Sequence, residues 1–117
     1  MSPNVLIVDD HPTFRLTARL LLESEGYTVV GEAGDGADAI RAARDLAPDL
    51  ILLDVQLPDI DGFDVASRII DGEDAPVVVL TSSRDGADFG PLIERSGARG
   101  FIPKAELSGE RLRALTG

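Results

Sequence analysis

The chain has no cysteine, no tryptophan, one histidine and one tyrosine in 117 residues. Without cysteine there is no disulfide framework and no thiolate metal site. No apolar run approaches the ~20 residues that a membrane-spanning helix needs. The opening Met-Ser-Pro-Asn lacks the charged-then-apolar layout of a secretory signal. Basic residues are scarce, with 11 Lys and Arg against 21 Asp and Glu, a formal charge of −10. Nucleic-acid affinity comes largely from neutralising phosphates with Lys and Arg, so direct nucleic acid binding by this chain is not expected. A cytoplasmic protein without membrane contact is expected. What is present is ordinary globular material, 44% apolar. Residues 1–117 make about one domain, large enough to bury a core without staples.

Apolar runs and breakers alternate along the chain. Val5–Val8 is a short continuous run, as in a strand buried on both faces. Pro12 suits a helix start, Phe14, Ala18, Leu21 and Leu22 form one helical stripe, and Gly26 ends it. Tyr27–Val30 reads as a second strand. Asp35 or Gly36 opens a helix with Ala39, Ile40, Ala43 and Leu46 on one face, stopped by Pro48. Leu50–Leu53 is a third strand ending in Asp54, followed by loop chemistry over 57–62 and a helix carrying Phe63, Ala66, Ile69 and Ile70. Val77–Leu80 is the fourth strand and Arg99–Ile102 the fifth. Ser108 can cap a last helix bearing Leu112 and Leu115. Gly86, Gly90 and Pro91 interrupt the place of the fourth helix, leaving a long loop and a short helix over about 91–96. Strands alternating with helices predict an α/β fold, a doubly wound five-stranded parallel sheet in order 2-1-3-4-5.

Asp9, Asp10, Asp54, Thr81 and Lys104 each fall at or just past the C-terminal end of a predicted strand. In open α/β sheets that edge is where ligands bind. Singly, each has an ordinary reading: Asp9 and Asp10 as helix caps, Asp54 as a turn residue, Thr81 as a satisfied strand end, Lys104 as a surface lysine. His11 is read as an exposed residue at a helix start. Together the residues mean more. At ~4 Å and an effective dielectric near 20, one carboxylate pair costs roughly 4 kcal/mol. Three such pairs approach the stability of a whole domain. The cluster must therefore hold protons or bind a cation. Oxygen ligands without cysteine or a histidine pair favour Mg²⁺, Mn²⁺ or Ca²⁺ over zinc, and an incomplete shell suits Mg²⁺ best. Asp54 can then be a nucleophile toward phosphorus, with Lys104 and Thr81 beside it.

Four motifs stand in order: Val-Asp-Asp at 8–10, Leu-Leu-Asp-Val-Gln-Leu-Pro-Asp-Ile-Asp-Gly at 52–62, Leu-Thr-Ser at 80–82 and Gly-Ala-Arg-Gly-Phe-Ile-Pro-Lys-Ala at 97–105. With them the chain resembles the receiver domain of two-component response regulators. The resemblance covers essentially the whole chain, and the Asp-His-Pro start is most similar to receivers of the NarL/FixJ group. It implies that Asp54 is the phosphoacceptor. It implies that Asp10 and Asp54 ligate Mg²⁺ directly, Asp9 mainly through water, and the backbone carbonyl of Gln56 completes the set. Thr81 and Phe101 take the places of the hydroxyl and aromatic switch residues, and Lys104 that of the phosphate-binding lysine. Gln56 and Ser83 fall where the family tunes phosphoryl lifetime. The implied donors are a sensor histidine kinase or a small acyl phosphate. The implied outputs are an output protein or a phosphorylation-linked homodimer. Phe101 lacks the hydroxyl of a tyrosine, Ala105 follows Lys104 in place of the frequent proline, and Gly90-Pro91 breaks the usual output helix.

Three functions compete at this point. The first is a phosphorylatable switch that is no enzyme beyond its own phosphorylation and dephosphorylation. The second is a degenerate receiver that binds without phosphate. The third is an enzyme, such as a haloacid-dehalogenase-like phosphotransferase, which wants an Asp where Gln56 stands. A flavodoxin would need a Ser/Thr/Gly-rich phosphate loop where Asp9 and Asp10 stand. The short final helix and its Leu-Thr-Gly end favour a stand-alone regulator over a receiver excised from a DNA-binding protein.

Overall fold

The computed structural model describes residues 3–71, 74–84 and 89–116. Its strands are β1 (Asn4–Val8), β2 (Thr28–Ala33), β3 (Leu50–Asp54), β4 (Val77–Ser82) and β5 (Gly100–Pro103). They form one parallel sheet in the order β2-β1-β3-β4-β5, as the sequence pattern predicts. Its helices are α1 (Pro12–Ser24), α2 (Gly36–Leu46), α3 (Gly62–Ile70), α4 (Leu92–Arg95) and α5 (Gly109–Thr116).

Strand alternation divides the core in two. One face packs Leu6, Val8, Ile51, Leu53, Val78 and Leu80 against Ala39 of α2 and Phe63 and Ala66 of α3. The other packs Val5, Ile7, Leu50, Leu52, Val79 and Ile102 against Ala18 and Leu22 of α1 and Leu112 of α5. Each central strand is thus apolar on both sides, which is why these runs read as continuous rather than alternating.

Helix ends follow local chemistry. Asp35 accepts the Asp38 N–H at 2.8 Å, Asp61 that of Phe63 at 2.7 Å, and Ser108 that of Arg111 at 3.1 Å. Each satisfies a donor left free by the first helical turn. No side chain caps α1, which starts on Pro12. The capping reading of Asp9 and Asp10 is thereby removed.

Several boundaries differ from the sequence reading: β1 begins at Asn4 rather than Val5, and β4 runs on past Leu80 to Ser82. β2 begins at Thr28 rather than Tyr27 and runs on to Ala33. The Tyr27 N–H donates to the Leu22 carbonyl, so Tyr27 belongs to the turn that ends α1. The extension through Gly31 and Glu32 has no apolar signal because β2 is an edge strand. β5 is shifted by one residue, and Lys104–Glu106 forms an unforeseen 3₁₀ turn. α4 is as short as Gly90-Pro91 implies; Gly86 lies outside the described residues.

Gly62 fixes the loop after β3. Its N–H donates to the Val55 carbonyl at 2.8 Å. A Cβ there would lie 2.4 Å from the Asp54 carbonyl oxygen and 2.6 Å from the Val55 Cα. Both are backbone atoms that cannot swing aside. Gly62→Ala is expected to cost about 1–3 kcal/mol through overpacking, read as a lower urea midpoint. An unchanged midpoint would show that the α3 start is not held this tightly against Asp54.

Candidate functional site

Two-residue steps along the strands build the site. Val5 and Ile7 lead to Asp9, Leu50 and Leu52 to Asp54, Val77 and Val79 to Thr81, and Ile102 to Lys104. All four residues therefore continue the sheet face covered by α1 and α5, at the C-terminal edge. Asp54 and Thr81 are register partners, and the Thr81 carbonyl accepts the Val55 N–H at 2.9 Å. Residues as near as Asp54 and Thr81 and as far apart as Asp9 and Lys104 in sequence meet because parallel strands end on the same edge.

Asp9 and Thr81 are fully buried and Asp54 nearly so. Asp10 is exposed, at the mouth. One ligand atom from each of Asp9, Asp10, His11 and Asp54 lies within 4.8 Å of the others. Lys104 Nζ stands 2.6 Å from Asp9 Oδ2 and 3.3 Å from Asp54 Oδ2. The Asp9 contact is an ion pair by distance, yet Asp9 Oδ2 accepts no well-directed hydrogen bond. The ammonium also lies 4.5 Å from the centre of the Phe14 ring, a cation–π contact from α1.

Burial pushes the Asp54 carboxyl up from 3.8 to about 6. The Gln56 N–H, 3.1 Å from Asp54 Oδ1, works against this; the Asp9 charge adds to it; Lys104 opposes it. For Lys104, burial disfavours the charge, but contact with Asp9 and the charge of Asp54 outweigh it and hold the ammonium above the ordinary lysine value.

Among the described residues the buried Thr81 Oγ1 has no hydrogen bond, and the buried Asp9 Oδ2 is held by its ion pair with Lys104 alone. Buried polar atoms are nearly always paired, and each one left alone costs about 1–3 kcal/mol. Both stand at the edge where the carboxylates gather. A hard oxygen donor set, an excess of negative charge and the unpaired Thr81 hydroxyl fit a site that holds a divalent cation.

Other predicted residues take their places around it. Gln56 and Ser83 are exposed, with Gln56 tied to Asp54 through its N–H. Phe101 is half-buried on the opposite sheet face, its ring centre 5.5 Å from that of Phe89, which lies 5.5 Å from Phe63. Sequence reasoning missed four supports. Phe14 reads as a core stripe residue, yet it walls Lys104. Arg15 donates to the Asp9 carbonyl at 2.6 Å and pairs with Glu32 at 3.0 Å, locking the start of α1 to β2. Asp59 accepts the N–H groups of Gly36 at 2.7 Å and Ala37 at 3.0 Å, tying the loop after β3 to α2. The Gly36 N–H above all keeps its carboxyl below the usual range. His11, read as a bystander, has Nδ1 3.0 Å from both Asp9 Oδ1 and Asp10 Oδ1. Opposite charges at Arg15 and Glu32 are the one signal that was available.

A concavity of about 470 Å³ lined by Pro3, Tyr27, Asp49 and Arg113 lies at the other end of the strands, away from these groups. No helix among the described residues is long and apolar enough to cross a membrane.

Comparison with known proteins agrees with this geometry. A Pseudomonas aeruginosa protein classed as a transcriptional regulator is 48% identical over 111 residues, 94% of this chain and 53% of that protein. The transcriptional regulatory protein PdtaR of Mycobacterium tuberculosis is 38% identical over 121 residues, 96% of this chain and 59% of its own length. The chain thus spans about half the length of the curated relatives it matches. The solved signal receiver domain of the response regulator NarL from Mycobacterium tuberculosis superposes with a TM-score of 0.85 at 35% identity, covering 99% of this chain and 98% of that one. Residues 5–116 match the family model of the response regulator receiver domain. With its sheet order, its acidic strand ends and this match along nearly its whole length, the chain belongs to the response regulator receiver domain family.

Proposed function

We propose that this receiver accepts a phosphoryl group on Asp54, from phosphohistidine on a sensor kinase or from a small acyl phosphate. The aspartyl phosphate then changes the binding of an output protein or of a second copy of the chain. The observation that carries the reading is the meeting of Asp54 with Asp9, Asp10 and Lys104 beside the unpartnered Thr81 hydroxyl.

A carboxylate oxygen of Asp54 attacks phosphorus as the donor's phosphorus–nitrogen or phosphorus–oxygen bond breaks, and the donor leaves with that bonding pair. Mg²⁺ is the cation of this reading; Asp10, Asp54 and the Gln56 carbonyl would hold it, with Asp9 in support. When bound, it neutralises phosphoryl charge that these carboxylates would otherwise repel. Lys104 presents a compact positive charge, 3.3 Å from Asp54 Oδ2, to the phosphoryl oxygens. The Thr81 hydroxyl donates to one of them and so gains the partner it lacks. Its shift frees space into which the Phe101 ring turns, and the face formed by β4, α4 and β5 changes. The chain turns over no substrate beyond its own phosphorylation and dephosphorylation, and it works in the cytoplasm.

Acetyl phosphate with Mg²⁺ is expected to modify the chain once, seen by mass spectrometry or on a phosphate-affinity gel. The modification should vanish in Asp54→Asn and without Mg²⁺. No modification, or equal modification of Asp54→Asn, contradicts the proposal.

A further inference from the structure

Asp59 is an exposed residue in the loop between β3 and α3, yet backbone donors hold both oxygens of its carboxylate. Oδ1 accepts the N–H groups of Gly36 at 2.7 Å and Ile60 at 2.8 Å, and Oδ2 accepts that of Ala37 at 3.0 Å. Gly36 and Ala37 open α2, 23 and 22 residues away in sequence. Asp35 takes the next N–H of that turn, from Asp38. A carboxylate also suits the positive end of the helix dipole. The fit between loop and helix is close: a Cβ on the buried Gly36 would stand 3.0 Å from Ile60 Cβ and 3.0 Å from Val65 Cγ2. The loop is thus held twice. The Gly62 N–H closes its base on the Val55 carbonyl at 2.8 Å, and Asp59 pins its tip to α2. Gln56 lies between Val55 and Asp59, exposed, with its N–H 3.1 Å from Asp54 Oδ1.

We propose that Asp59 is a positioning residue for phosphoryl transfer: by clamping the loop to α2 it keeps the Gln56 N–H on the Asp54 carboxylate and fixes how that carboxylate meets the donor. An exposed loop keeps one conformation only where its contacts offset the entropy of ordering it. Without Asp59 the stretch that carries Gln56 is anchored at its base alone. Reaction rates are sensitive to such slack, because a reacting group must be held close to its attacking geometry. The inference rests on the reading that Asp54 takes the phosphoryl group, and it adds a residue that touches neither donor nor cation. The rival role for the same bonds is a second cap that stabilises α2 and nothing more.

The test compares the wild type with Asp59→Ala, Asp59→Asn and Asp35→Ala. Labelling by acetyl phosphate at saturating Mg²⁺ is timed by mass spectrometry, and amide NMR spectra are recorded on each metal-free protein. Asp59→Ala should label about tenfold more slowly, well within what a misplaced reacting group can cost. Its Gln56 amide should move along with those of Gly36 and Ala37. Asp59→Asn keeps an oxygen for the two donors while losing the charge, and should label within about threefold of the wild type. Asp35→Ala removes the local cap of α2 and leaves the clamp in place. It should lower the urea midpoint without slowing the labelling. Asp59→Ala labelling at the wild-type rate with Gln56 unmoved overturns the inference and leaves phosphorylation standing. So does Asp59→Asn or Asp35→Ala slowed as far as Asp59→Ala, which would assign the effect to charge or to α2 stability. A wild type that takes no label overturns the reading and the inference together.

Discussion

Asp54→Asn is expected to stabilise the metal-free protein at pH 7 while ending its phosphorylation. Asp54 is buried, and its carboxyl is pushed from 3.8 to about 6. The folded state therefore holds the Asp54 proton more tightly than the unfolded chain does. The stability this contributes is complete below about pH 4 and is lost as pH rises through about 6. Above that, the ionised group destabilises the fold by on the order of 2–3 kcal/mol. Asparagine carries no such charge. Urea midpoints without Mg²⁺ should favour the variant at pH 7, and the gap should close toward pH 4. Saturating Mg²⁺ should narrow it by raising the wild type alone, by about 2.7 kcal/mol at a hundred times the dissociation constant. A variant no more stable than the wild type at pH 7 would show that Asp54 is not strained by burial and by Asp9.

Lys104→Met should act in the opposite direction. Lys104 Nζ is the cation between Asp9 Oδ2 at 2.6 Å and Asp54 Oδ2 at 3.3 Å. Methionine keeps much of the volume beside Phe14 and deletes the charge. Removing one partner of a buried pair costs about 3–5 kcal/mol, because the charges left behind stay buried. The loss should be smaller at pH 5, where Asp54 takes up a proton, and smaller on an Asp54→Asn background, since neighbours in one network do not add. Opposite signs from two side chains in contact mark a site with an excess of negative charge. A Lys104→Met protein as stable as the wild type would remove that electrostatic basis.

Much of this was legible in the sequence, for a physical reason. Central strands buried on both faces must be continuous apolar runs, so Val5–Val8, Leu50–Leu53 and Val77–Leu80 mark themselves. Parallel connection then forces their C-terminal ends onto one edge, bringing Asp9, Asp54 and Thr81 together. Edge elements were harder. β2 continues through Gly31 and Glu32, which no apolar pattern reports. At Gly31 the Leu46 side chain lies over the strand, and Glu32 is paired with Arg15 and Arg19. Such reasons belong to tertiary neighbours. The same holds for Phe14. Helical periodicity places it on the core face of α1, but its contact with Lys104 depends on where β5 ends. His11 is exposed at a helix start, as the sequence reads it, but the backbone bond that turns it toward Asp9 is invisible in sequence.

The most direct measurement is a set of amide NMR spectra at pH 7, first metal-free, then with Mg²⁺, then with Mg²⁺ and beryllofluoride as a phosphoryl mimic. Mg²⁺ alone should move the amides of Asp10, His11, Val55 and Gln56 around the carboxylates. The mimic should then move Thr81, Ser82 and Phe101, reporting the shared site and the switch in sequence. Spectra unchanged by millimolar Mg²⁺, or a mimic that leaves Thr81 and Phe101 where they were, would contradict a cation and a phosphoryl group meeting at Asp54.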